Sequence, residues 1–254
     1  MTRLVRMQTP RGPRTGIVVE QTVHACVDPF AEELQVGEPL MPLAEAHLLP
    51  PVRPSKIVCV GRNYAAHAAE HGADVPSEPM LFLKPPSALI GPGAAIELPP
   101  SSAHVEHEVE LAVVIGKRAR DVAKEEALDY VLGYTCANDV SARDFQRKDG
   151  QWGRAKGFDT FCPLGPWVVT GLNPADLALR AWVNEELRQA SRTSNMVFDV
   201  PTLVAFISGI MTLEAGDVIL TGTPEGVGPL HAGDTVRVEV EGVGVLSNPV
   251  IARA

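Results

Sequence analysis

Apolar residues along the chain recur at two spacings, and the alternating one dominates. Residues 105–115 read Val-Glu-His-Glu-Val-Glu-Leu-Ala-Val-Val-Ile, which predicts a strand with Glu106, Glu108 and Glu110 on one face and Val109, Leu111, Val113 and Ile115 on the other. Segments 56–60, 132–137, 167–170 and 181–184 read as further strands. Helical spacing is confined to 64–71, stopped by Gly72, to 124–130, and to 201–211. In the last of these Leu203, Val204, Ile207, Ile210 and Met211 form the apolar stripe, and Asp199 or Val200 lies near the N-cap. Ala215-Gly216-Asp217 and Ala232-Gly233-Asp234 each precede a β-branched run and are expected to form equivalent turns. The second run puts Val236, Val238 and Val240 on a core face and Arg237, Glu239 and Glu241 in solvent. The pattern predicts an α+β, β-rich fold. A proline-rich stretch at 48–54 suggests a boundary between a small N-terminal β-rich domain, 1–52, and a larger domain, 53–254.

Composition narrows the function classes. The 22 glycines and 22 prolines in 254 residues fit many turns and short strands. A net charge of -9 without a basic run argues against nucleic acid and anionic membrane as partners. No window approaches the apolar length of a membrane span, so a cytoplasmic location is expected. Cys26, Cys59, Cys136 and Cys162 are scattered, which suggests buried thiols rather than a zinc cluster or a disulfide framework.

Several segments carry chemistry. The 105–115 strand turns wholly apolar just after Glu110, so that carboxylate should approach the interior, where a bound cation would relieve the charge. An edge strand with a solvated acidic face gives the same pattern. Asp139 ends the apolar run 134–137, a common place for a ligand, although Asp after Asn also forms turns and caps. On a helix, His67 and Glu70 fall at i and i+3, where a carboxylate orients an imidazole for proton transfer; surface pairs of this kind are also frequent. Arg143, Gln146, Arg147, Lys148, Arg154 and Lys156 give an acidic chain one cationic segment, suited to a substrate carboxylate or a developing oxyanion. The glycine-rich loop 221–228 follows a strand but lacks the P-loop ending and the helix of a dinucleotide site.

Taken in order, Gly61-Arg62-Asn63-Tyr64 with His67 and Glu70, Phe82-Leu83-Lys84-Pro85, His107-Glu108-Val109-Glu110-Leu111, Asn138-Asp139-Val140-Ser141-Ala142-Arg143-Asp144, Ala155-Lys156-Gly157-Phe158-Asp159-Thr160 and Leu220-Thr221-Gly222-Thr223-Pro224-Glu225-Gly226-Val227-Gly228 resemble the fumarylacetoacetate hydrolase family over about residues 55–250. The resemblance implies a mixed β-roll catalytic domain and a homodimer. It also implies a magnesium ion, or manganese, held by Glu108, Glu110 and Asp139. By the same resemblance His67 and Glu70 form a water-activating dyad on a mobile lid and Lys156 faces the developing enolate. Arg62, Arg143, Gln146 and Thr223 then contact a small anionic 2-oxo acid. The implied activity is hydrolysis of the C–C bond of an acylpyruvate or related 1,3-diketo acid. Isomerisation of 2-hydroxyhepta-2,4-diene-1,7-dioate or decarboxylation of oxaloacetate is the alternative, and a non-catalytic metal-binding assembly protein is a third reading. The chain departs from the family at Glu185, where many relatives have Gly in a hairpin turn.

Overall fold

The computed structural model describes residues 1–70 and 72–253. Strands dominate it. A 12-stranded sheet runs, along its main path, through Pro39–Pro42, Thr22–Ala25, Gly12–Val19, Thr2–Thr9, Cys162–Thr170, Val131–Asn138, Val109–Ile115, Val218–Leu220, Ile57–Gly61 and Met80–Lys84. Neighbours on this path are antiparallel except Val218–Leu220 and Ile57–Gly61, which run parallel. The sheet is therefore mixed, and its N-terminal strand Thr2–Thr9 joins it through Cys162–Thr170. A 5-stranded sheet (Glu186–Arg192, Ala178–Val183, Thr235–Val240, Gly244–Ala252, Ile96–Leu98) packs over it. A 3-stranded sheet of Ser141–Ala142, Val105–His107 and Gly228–Pro229 completes the β-roll.

The strand Val109–Ile115 explains how a carboxylate comes to be buried. Its odd-numbered side chains, Val109 to Ile115, pack with Leu203, Val204 and Ile207 of the helix Val200–Ser208 and with Val238 and Val240 of the second sheet. Ala112 and Val114 enter a separate core with Leu4, Ile17, Ile57 and Leu220. Both faces are covered, so the run is continuously apolar past Glu110, and each large side chain buried there contributes about 1.5–3 kcal/mol.

Several elements differ from expectation. The 105–115 segment is two strands, Val105–His107 and Val109–Ile115, interrupted at Glu108. The helix expected over 201–211 stops at Ser208: Gly209 caps it, and Ile210 turns outward, 58 % exposed. Its start is as expected, with Asp199 accepting from Thr202 N at 2.9 Å. Lys124–Tyr130 winds as a 3-10 helix, burying Ala127 alone and lacking a side-chain cap. The helix expected over 64–71 is formed over Ala65–Glu70, and His71 lies outside the described residues. The two Gly-Asp turns are equivalent: Asp217 accepts from Glu214 N at 2.8 Å and Asp234 from His231 N at 2.7 Å. In the hairpin between Ala178–Val183 and Glu186–Arg192 the left-handed residue is Asn184 (φ 56°), so Glu185 replaces Gly without that strain.

Candidate active site

The break at Glu108 is made by the neighbouring strand. Val109–Ile115 pairs with Val131–Asn138 so that Val109 stands opposite Asn138 and Glu110 opposite Ala137. Beyond that register Asn138 Oδ1 accepts from Glu108 N and Glu108 O accepts from Asp139 N, both at 2.9 Å. Two adjacent strands therefore end side by side, and Glu108, Glu110 and Asp139 converge with ligand oxygens within 4.8 Å of one another. Their exposures are 3 %, 1 % and 0 %, which removes the solvated acidic face as a description.

Three buried cations answer these charges. Lys156 Nζ donates to Glu108 Oε2 at 2.8 Å and to Asp139 Oδ2 at 2.7 Å. Lys84 Nζ donates to Asp139 Oδ1 at 2.6 Å and to Val140 O at 3.1 Å. Arg143 Nη2 lies 2.5 Å from Glu108 Oε1, off its N–H axes, so this contact is an ion pair without a directed hydrogen bond. Burial opposes ionisation of Glu108, but Lys156 and Arg143 outweigh it and hold its carboxyl well below the ordinary range. Burial, Asp139 and Glu108 push Glu110 the other way, well above it, although Gly222 N donates to its Oε2 at 2.6 Å. Gly222 has φ +97°, and a Cβ there would stand 2.7 Å from Asn63 Cβ; the close backbone approach needs glycine. Burial lowers the pKa of Lys156, and Asp139 with Glu108 more than restores it, so the ammonium stays charged.

Three buried carboxylates with no soft donor among them suit a hard divalent cation such as magnesium or manganese. Glu110, crowded by like charges, is the ligand such a cation would relieve most. Burial pushes the thiols of Cys59 and Cys162 up, Cys162 to about 12, so neither competes as a thiolate.

A cavity of about 300 Å³ opens onto this cluster. Its wall includes Arg62, His67, Arg143, Gln146, Lys156 and Thr223 beside the three carboxylates. Glu70 stands behind: its Oε2 is 3.3 Å from His67 Nδ1, and both its oxygens accept from Gly226 N at 3.1 and 3.3 Å, linking the helix Ala65–Glu70 to the glycine-rich loop. Thr223 Oγ1 donates to Val109 O at 2.9 Å and accepts from Gln189 Nε2 at 2.8 Å. Arg147 and Trp152 also line the cavity, with Val60, Gly61 and Phe82. Lys84, Glu106, Asn138 and Gln189 belong to the site's framework but received no role from sequence. For Lys84 a signal existed, since it is a lone charge ending the apolar run Met80–Lys84. For Gln189, on a hairpin outside every motif quoted, there was none.

Residues 56–251 match the sequence profile described as "Fumarylacetoacetate (FAA) hydrolase C-terminal", and residues 2–51 match "Rv2993c-like, N-terminal". The chain is 45 % identical over 255 residues to oxaloacetate tautomerase FAHD2B, mitochondrial, of Bos taurus, covering 95 % of this chain and 81 % of that one. A 2-hydroxyhepta-2,4-diene-1,7-dioate isomerase structure from Mycobacterium marinum superposes with a TM-score of 0.92 at 46 % identity, covering 100 % of both chains. A maleylpyruvate hydrolase from Sphingobium sp. SYK-6, in complex with manganese (II) ion and pyruvate, gives 0.81 at 36 % identity, covering 99 % of this chain and 100 % of that one. No helix among the described residues is long and apolar enough to cross a membrane.

Proposed function

The chain belongs to the fumarylacetoacetate hydrolase family, and from that premise we propose that it moves a proton at the carbon beside the keto group of a small 2-oxo dicarboxylic acid, interconverting keto and enol forms. The observation that carries this reading is one cavity lined by both His67, backed by Glu70 at 3.3 Å, and the buried carboxylate cluster with Lys156. Glu108, Glu110 and Asp139 would hold magnesium or manganese, which when bound supplies Lewis acidity toward the substrate's carboxylate and 2-oxo oxygens. Lys156 keeps an ammonium where the enolate oxygen gains charge. In enolisation His67 takes the proton from the substrate carbon and passes it on to water while the enolate oxygen takes up a proton from water; ketonisation runs both transfers in reverse, and Glu70 orients the imidazole. Arg143 and Gln146 receive the carboxylate next to the keto group. The ion pairs of Glu108 and Asp139 are with Lys84, Arg143 and Lys156, which leaves Arg62 and Arg147 on the wall for a second carboxylate. The tautomerase and isomerase relatives, similar over nearly the whole chain, support the same choice.

A second reading is hydrolysis of an acylpyruvate. The His67–Glu70 pair favours it, because the same imidazole can take a proton from water attacking the distal carbonyl, with pyruvate enolate leaving. Decarboxylation of oxaloacetate would use the enolate site without that water. NMR of oxaloacetate, acylpyruvates and a 2-hydroxydienedioate with magnesium separates them. Proton exchange or a moved double bond supports the first reading, pyruvate with a free acid supports the second, and no turnover of any of them overturns both. The proposed working form is a homodimer, checked by light scattering.

A further inference from the structure

Glu106 shares the alternating face of Glu108 and Glu110 in sequence, yet it is not one of the three converging carboxylates. Its strand, Val105–His107, belongs to the 3-stranded sheet, where it pairs with Ser141 on one side and Pro229 on the other. From there it reaches the guanidinium of Arg143. Arg143 Nε donates to Glu106 Oε2 at 2.6 Å and Nη1 donates to Gln146 Oε1 at 2.8 Å. Nη2 meets Glu108 at 2.5 Å without a directed hydrogen bond. Two carboxylates thus flank one guanidinium, but only Glu106 is aligned with an N–H axis. Glu108 supplies charge, and Glu106 sets the plane.

That plane has a consequence at Gln146. Its amide gives its oxygen to Arg143, so its NH₂ is the group left for the cavity it lines, and an NH₂ is what an incoming carboxylate requires. Glu106 is held from behind by the half-exposed His104, whose Nε2 donates to Glu106 Oε1 at 2.8 Å. We propose that Glu106 is a positioning residue: braced by His104, it fixes Arg143 against the pull of Glu108 and thereby turns the Gln146 amide toward the substrate's carboxylate. This rests on the reading above in which Arg143 and Gln146 receive that carboxylate.

The test is calorimetric binding of oxalate, a small dicarboxylate probe, to the manganese-loaded protein, with manganese affinity measured separately. Glu106→Gln should weaken oxalate binding about 10- to 100-fold, the span of one charge-assisted hydrogen bond, and leave manganese affinity within about threefold. Glu106→Asp should recover part of the loss. His104→Ala, at a half-exposed position that folding tolerates, should weaken oxalate about threefold and add nothing on top of Glu106→Gln, because the two act in one chain of contacts. Unchanged oxalate affinity in Glu106→Gln overturns the assignment, as does unchanged affinity in His104→Ala should the first variant not fold. Parallel loss of manganese overturns it too, since it would make Glu106 part of the cation site. A wild-type protein that binds manganese but not oxalate is equally contrary. Turnover is not read, so a chain that behaves as expected yet converts no 2-oxo acid loses only the proposed reaction.

Discussion

Lys84 Nζ lies 2.6 Å from Asp139 Oδ1, and with 1 % and 0 % of their surfaces exposed neither residue meets water. The pair ties the edge strand Met80–Lys84 to the residue that follows Val131–Asn138 and supplies one of the three cations around the carboxylate cluster. Lys84→Met leaves a buried carboxylate with one cation fewer, and the expected cost is about 3–5 kcal/mol. Because a divalent cation would neutralise the same carboxylate, magnesium should restore part of the lost melting temperature and a chelator should remove it. Thermal melts with and without magnesium check this. An equal loss in both would detach Lys84 from the cation site.

His67→Ala should lower kcat by about 10²- to 10⁴-fold, the usual contribution of a general acid or base, with little change in manganese affinity. Glu70→Gln should cost less, since Glu70 acts through the ring it orients and through Gly226 N. Steady-state kinetics beside a manganese titration separates these effects from loss of the metal.

Gly222→Ala should damage the cation site from the backbone. Its φ of +97° and the 2.7 Å approach to Asn63 Cβ oblige the loop to shift, and the shift withdraws the N–H that Glu110 accepts. Manganese affinity is expected to fall at least tenfold, about one charge-assisted hydrogen bond, and Thr221→Ser, one residue away, should serve as the mild control.

Asp217 predicts a pH dependence of stability. It accepts from Ser55 N and Oγ, Lys56 N and Nζ, and Glu214 N, all at 2.5–3.1 Å. Burial works against its charge, but Lys56, Glu214 and Ser55 outweigh burial and hold its pKa below the ordinary value. A depressed carboxylate pKa stabilises the folded state above the unfolded value, about 4, and that stabilisation is lost as pH falls through the folded value. Asp217→Asn should therefore cost about 2 kcal/mol at pH 7, and the gap to wild type should shrink below about pH 4. Denaturant melts across that range measure it. A gap that widens in acid would have the wrong sign.

What was legible in the sequence follows from the range of the interactions involved. Periodicity placed Glu106, Glu108 and Glu110 on one face because strand geometry is local. The interruption at Glu108 was not legible, since it is made by Asn138, 30 residues away. Lys84 stood in the motif Phe82-Leu83-Lys84-Pro85 without a role because its partners Asp139 and Val140 lie 55 and 56 residues on. The helix 201–211 was drawn too long because Ile210 and Met211 keep the apolar period while Gly209 ends the backbone pattern. The ordered motifs assembled the cavity wall, since they record a three-dimensional arrangement that spacing alone does not. They left out Gln189, whose hairpin only approaches the loop in the fold.

The most direct test of the proposed chemistry is deuterium incorporation at C3 of oxaloacetate in D₂O, followed by NMR with wild-type protein, with excess chelator, and with Glu110→Ala. The account predicts exchange far above the uncatalysed rate in wild type with magnesium, and loss of that excess in the other two. Exchange that survives chelation and the Glu110 substitution, or wild-type exchange no faster than buffer, would contradict it.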